Sequence, residues 1–148
     1  MDLRPLNESD EELLSSLAQQ DDVWEFIGTL PLPDDEHVPH LFAVVEGQRS
    51  VGVAGLVPSR ALDGNDFELL CAMRSEVQLH GFAKQACTMA LAWAFDTQKL
   101  ERVIACIDDN NQGARSIATK LGMKQLCQQP PNRTVYVKYR DEGSPSKQ

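Results

Sequence analysis

Apolar residues along the 148-residue chain recur with two periods, near two and near 3.6, and the switches between them mark out the elements. Leu3 to Leu6 reads as a short opening strand. Asn7-Glu8-Ser9-Asp10 supplies helix-capping side chains, and Leu13, Leu14 and Leu17 then lie on one face of a helix over Glu11 to Gln19. Asp22 to Ile27 predicts a second short helix. Gly28 to Pro39 holds three prolines and is expected to be a loop. Leu41 to Glu46 is apolar and β-prone, Gly47-Gln48 suits a hairpin turn, and Ser50 to Val57 returns as its partner. Asp63-Gly64-Asn65 marks another turn before a strand over Phe67 to Met73.

The rhythm then changes. Over Gly81 to Thr97, Ala83, Ala86, Ala90 and Ala94 form a small-residue stripe at helical spacing, with Phe82, Met89 and Trp93 supplying bulk. Such a helix can lie close against a sheet. Arg102 to Ile107 is a short buried strand. Gly113 to Leu121 is a further helix, with Gly122 as a left-handed cap. Lys124 to Gln128 and Thr134 to Tyr139 read as a closing antiparallel pair around Pro130-Pro131-Asn132. Antiparallel strands followed by a strand–helix–strand unit imply a mixed α+β sheet of about seven strands. One domain is expected over residues 1–140, with a disordered tail over 141–148.

Composition narrows the function classes. Hydrophobic residues make up 42% and charged residues 24%, as in globular domains. No apolar run reaches the length of a membrane span, and the first residues lack a signal-peptide core, so a cytoplasmic protein without membrane attachment is expected. The net charge of −8 is uneven: residues 1–74 hold 15 acids and 4 bases, residues 75–148 hold 7 and 10. An acidic chain is poorly suited to nucleic acid. The asymmetry permits an anionic ligand on the second half and a cationic one near the first; solubility alone would also account for it.

Cys71, Cys87, Cys106 and Cys127 form no C-x-x-C pair, so they are expected to be buried apolar residues rather than metal ligands or bridges. His37 and His40 flank Pro39, which disfavours a helical metal site; a solvated loop without metal is expected there.

Chemistry concentrates where the strand ending at Met73 leads into the long helix. A helix N-terminus presents unpaired N–H groups and the positive end of its dipole, which suits a phosphate or pyrophosphate. Gly81 allows close approach and Lys84 adds charge in the first turn. The segment Gln78-Leu79-His80-Gly81-Phe82-Ala83 fits Q-x-x-G-x-A, the acetyl-CoA pyrophosphate loop of the GNAT N-acetyltransferases. Trp93-Ala94-Phe95, Leu100-Glu101-Arg102-Val103, Asn111 and Lys120-Leu121-Gly122-Met123 follow in register, and Glu68 stands 15 residues before Ala83. The succession resembles the branch of the ribosomal-protein alanine acetyltransferases (RimJ/RimL-like), over about Phe67 to Met123. The chain departs from that pattern at Leu79 (often glycine), Gln85 (often glutamate), Ala114 (serine) and Met123 (phenylalanine).

The resemblance implies a GNAT-like fold whose fourth and fifth strands splay to admit the pantetheine arm of acetyl-CoA along Leu70, Cys71, Ala72 and Met73. It implies a pyrophosphate site on Gln78, Leu79, His80, Gly81, Phe82, Ala83 and Lys84. Asn111, or its neighbour Asn110, would hydrogen-bond the pantetheine end near the thioester. Glu68 is the candidate general base for an acceptor amine; alternatively it is a structural carboxylate paired with an arginine such as Arg102. Tyr136 and Tyr139, three residues apart, face opposite sides of their strand and suit packing better than acid catalysis. The expected activity is direct acetyl transfer from acetyl-CoA to a primary amine: a protein N-terminus, a polyamine-like molecule or an aminoglycoside-like compound. A non-catalytic acyl-CoA-binding module and an interaction domain that binds nothing at the glycine loop are the alternatives. A homodimer is compatible with the reading.

Overall fold

The sheet is built from strands whose side chains alternate between two covered faces. The computed structural model describes residues 1–6, 10–18, 40–59, 61–62, 66–74, 77 and 81–140. In chain order it contains β1 (Asp2–Pro5), α1 (Glu11–Ala18), β2 (His40–Glu46), β3 (Arg49–Ser59), β4 (Asp66–Met73), α2 (Phe82–Ala92), β5 (Arg102–Asp108), α3 (Gln112–Lys120), β6 (Lys124–Gln129) and β7 (Arg133–Tyr139). The strands form one seven-stranded sheet in the order β1-β2-β3-β4-β5-β7-β6. Every neighbouring pair is antiparallel except β4 and β5, which run parallel. The mixed, mostly antiparallel sheet expected from the hydropathy pattern is therefore present. The predicted helix over Asp22–Ile27, the loop over Gly28–Pro39, the turn at Asp63–Asn65 and the tail from Asp141 lie outside the described residues.

Each face has its own cover. Leu13 and Leu17 of α1 pack on Ala43, Val53, Leu70 and Ala72. On the opposite face Ala86 and Cys87 of α2 meet Val44, Ala54, Cys71 and Met73, and Ala114 and Ala118 of α3 meet Ala105, Ile107 and Tyr136. The alanine stripe behaves as its spacing predicts: Ala86, Ala90 and Ala94 are fully buried, so the α2 backbone sits close to the sheet. Leu91 and Phe95 supply most of the buried bulk, while Phe82, Met89 and Trp93 are half-buried.

Two local features differ from expectation. The long helix is α-helical only to Ala92 and finishes as a π-helical turn over Trp93–Thr97. Leu100 N–H then bonds the Ala94 carbonyl at 3.0 Å, which closes the connection to β5. His40 is not a solvated loop residue: it opens β2 and its ring lies 4.9 Å from Trp93 and 5.4 Å from Phe67. Phe42 meets Trp93 edge-on at 5.1 Å, so apolar packing beneath the π-turn draws the histidine in. The β6–β7 turn carries a cis peptide bond between Pro130 and Pro131. Among the described residues no helix is long and apolar enough to cross a membrane.

Candidate active site

The centre of the sheet is a wedge-shaped opening. At its closed end, Arg102 at the start of β5 makes a two-pronged ion pair with Asp66 at the start of β4, Nε to Oδ1 at 2.8 Å and the second nitrogen to Oδ2 at 2.9 Å. Among the described residues, Glu68↔Ile104 is the one register pair between these strands. By contrast β4 pairs with β3 from Asp66 through Met73, and β5 pairs with β7 from Arg102 through Asp108. Both strands thus stay anchored on their outer sides while they part on the inner side beyond Glu68. Leu70, Cys71, Ala72 and Met73 of β4 lie beyond that register pair. A strand edge that parts from its neighbour is a place where an extended, amide-bearing ligand can add as a further strand.

Glu68 stands where the strands part. Its side chain lies on the α1 face with Leu70 and Ala72, opposite α2 and α3, because alternate strand residues share a face. Burial pushes its carboxyl above the ordinary carboxylate value. A hydrogen bond from Ser59, the charge of Arg133, and donors from the Cys106 side chain and backbone N–H pull it part of the way back. The alternative of an ion pair with Arg102 is not realised, since Asp66 occupies that guanidinium. The carboxyl instead lies with Ser59, Cys106 and Arg133 at the split. Ser59, Cys106 and Arg133 escaped the sequence reading because three different strands bring them together. Cross-strand register carries no local pattern that would have found them.

The helix end is equally open. Gly81 adopts φ +76° ahead of α2, a left-handed conformation that side chains disfavour. A Cβ placed there would have no atom within 4 Å, so the surface above the glycine is clear. Gly81 offers no side chain to cap this end, the first turn holds no acid, and Lys84 is exposed beside it. The start of α2 thus sets the positive end of the helix dipole beside the exposed Lys84 ammonium, a combination that favours an anion. Gln78, Leu79 and His80 lie outside the described residues. The chain before them is well anchored: Arg74 N–H bonds the Val51 carbonyl at 2.8 Å, and its Nε bonds the Ser50 carbonyl at 3.0 Å.

Asn111 lies just beyond β5, at the open end of the wedge. Its Oδ1 accepts the Ala114 N–H at 3.0 Å and caps α3. The oxygen is thus engaged in the helix cap, which leaves the amide N–H groups as the side chain's means of reaching a ligand. Ala114 is buried against Ala105, Ile107 and Tyr136, so a small apolar residue fits where the family pattern has serine. The Cys71 thiol turns under α2 toward the Ala83 carbonyl at 3.9 Å, away from the Glu68 face, and contact with Cys87 and burial push it well above the usual thiol value. Tyr136 is buried and accepts a 3.2 Å bond from Arg115, whereas Tyr139 is half-exposed; the expected opposition of the two holds.

A seven-stranded sheet parted between two parallel strands, with a helix N-terminus opened by a left-handed glycine, defines an acyltransferase scaffold. Residues 1–124 match the family model of the acetyltransferase (GNAT) domain, and the chain belongs to that family. No curated protein sequence matches it. Among solved structures it is similar to a variant of the spermidine N-acetyltransferase SpeG from Vibrio cholerae, with 13% identity, 99% of this chain and 98% of that one covered, and a TM-score of 0.82. It is also similar to the ribosomal-protein-S5-alanine acetyltransferase from Vibrio fischeri (14% identity, 97% and 94% covered, TM-score 0.74). An acetyltransferase from Agrobacterium tumefaciens gives 19% identity, 93% and 89% coverage and a TM-score of 0.73. At these identities the neighbours establish the GNAT fold. Family members use acyl-CoA donors.

Proposed function

We propose that this protein transfers an acetyl group from acetyl-CoA to a primary amine, by direct attack in a ternary complex, in the cytoplasm. The observation that carries the reading is the wedge: β4 and β5 meet at Glu68↔Ile104 and part beyond it, with a half-buried carboxylate at the fork. The residues present fit the donor. The pantetheine amides would bond the β4 edge over Leu70–Met73. The pyrophosphate would lie on Gln78–Lys84, where Gly81 leaves the surface clear. Asn111 would offer an amide N–H near the thioester. Bound acetyl-CoA supplies an electrophilic thioester carbonyl and a thiolate leaving group.

The chain's own residues then have separable tasks. An ammonium has no lone pair, so the acceptor must lose a proton before its nitrogen can attack. Glu68, facing the acceptor side of the sheet, takes that proton directly or through water. Strand and helix N–H groups hold the donor in register, so positioning contributes much of the rate without a covalent enzyme intermediate. The acidic first half of the chain favours a cationic acceptor. The neighbouring spermidine and S5-alanine acetyltransferases make spermidine and an alanine-initiated peptide the acceptors to try first.

The test is release of free CoA from acetyl-CoA, followed with a thiol reagent, in the presence of either amine. The expected result is amine-dependent release, lowered about 100-fold by Glu68→Gln with acetyl-CoA affinity retained. Binding of acetyl-CoA without release across an amine panel would favour a binding module. Equal turnover of Glu68→Gln across the pH range would remove Glu68 as the base.

A further inference from the structure

A buried carboxylate serves as a base only while it is ionised, and among the described residues Arg133 is a cation whose charge favours that form. Glu68, Cys106, Asp108 and Arg133 project from the same face of three adjacent strands. Glu68 pairs in register with Ile104; two and four residues on, Cys106 and Asp108 share the Ile104 face of β5; and Asp108 pairs directly with Arg133 at the start of β7. Arg133 Nε stands 3.7 Å from Asp108 Oδ1, longer than the 2.8 Å of the Arg102–Asp66 pair, so its hold on Asp108 is loose. Its charge also reaches Glu68, and Glu68 in turn raises the Cys106 thiol. Among the described residues, the other groups acting on Glu68 are neutral: the Ser59 hydroxyl on β3 and the Cys106 thiol, which burial and Glu68 together push up to about 12.

We propose that Arg133 is a positioning residue for the acetyl-transfer site, shared between two carboxylates: it holds Glu68 in the ionised form that can accept a proton, and Asp108 sets how much of its charge Glu68 receives. The inference deepens the proposed function by naming what keeps its base competent. It predicts effects of opposite sign at the two ends of the ion pair. Removing the guanidinium makes Glu68 harder to ionise. Removing the competing Asp108 carboxylate makes Glu68 easier to ionise by freeing Arg133.

Carboxyl carbon NMR of protein labelled at glutamate side chains tests this without any acceptor, with Glu68→Gln identifying the resonance. In Arg133→Met the Glu68 midpoint should rise, in Arg133→Lys it should stay near the wild-type value, and in Asp108→Asn it should fall. A general loosening of the fold would not move Met and Asn variants in opposite directions. An unchanged midpoint in Arg133→Met, or equal shifts in the Met and Lys variants, would overturn the assignment. Where turnover is measurable, the acid limb of kcat should follow the same order with KM for acetyl-CoA unchanged. Failure of Glu68→Gln to alter that limb would count against the catalytic role of Glu68 while leaving the titration result in force.

Discussion

At the scale of single residues, the wedge places a carboxyl where the fold gains nothing by ionising it. The folded protein holds the Glu68 proton more tightly than the unfolded chain, since burial raises the group from its ordinary value of 4.5. Such a group contributes stability that is complete below the unfolded value and is lost as pH rises through the folded one. Glu68→Gln should therefore raise Tm at pH 7, and the advantage should shrink as pH falls toward 4.5. Thermal melts of both proteins across that range give the sign; a lower Tm for the variant at pH 7 would mean that its polar partners outweigh burial. The cysteines give a second check. Cys127 is exposed, whereas Cys71, Cys87 and Cys106 are buried. Native protein at pH 8 should alkylate rapidly at Cys127 alone, and denatured protein at all four. The burial of three thiols was legible from residue type and patterning, but Cys127, also expected to be buried, is exposed because β6 is an edge strand; the partners of Glu68 were not legible, because they meet only after Ser59, Cys106 and Arg133 are aligned by long-range pairing.

The elements that frame the site depend on particular small residues. Gly81 needs its left-handed φ but has open space around it, so Gly81→Ala should cost about 1 kcal/mol by backbone strain alone. Gly55 differs, since a Cβ there would meet the His40 carbonyl and the Leu41 backbone. Chemical denaturation should show Gly55→Ala losing clearly more stability than Gly81→Ala; equal losses would mean that β2 can shift to make room. On α2, Ala90→Leu should cost about 1–3 kcal/mol by overfilling a fully buried position. The helix itself was readable because its alanines repeat locally. Its π-helical finish was not, because the Leu100 N–H to Ala94 bond depends on how the chain must turn into β5. His40 likewise sits after a proline-rich stretch that reads as loop, while the aromatic rings that hold it come from β2, β4 and the helix end.

For the whole molecule, the seven strands were largely predictable from alternation and turns. The placement of β7 between β5 and β6 is a property of the assembled sheet rather than of any one segment. The charge asymmetry also acts at this scale. If the acidic first half steers a cationic acceptor, the KM for spermidine should rise with ionic strength while that for a less highly charged peptide amine rises less. Acetyl-CoA at 100 times its Kd should stabilise the protein by about 2.7 kcal/mol, and a thermal shift with acetyl-CoA and with CoA would report it. Absence of any shift at millimolar ligand would count against the donor site.

The parting of β4 from β5 also divides the sheet mechanically. Four strands stand on one side and three on the other, joined in the sheet by Glu68↔Ile104, by the Arg102–Asp66 pair and beneath it by helix side chains such as Ile117 and Leu121. A donor lying in the gap would splice the two half-sheets as an extra strand does, and the molecule would become more cooperative on loading. Deuterium uptake should reveal this: amides of Leu70–Met73 and of the facing end of β5 should exchange sooner than those of central β3 in the free protein. Acetyl-CoA should slow both sides of the gap together, far from its own phosphates.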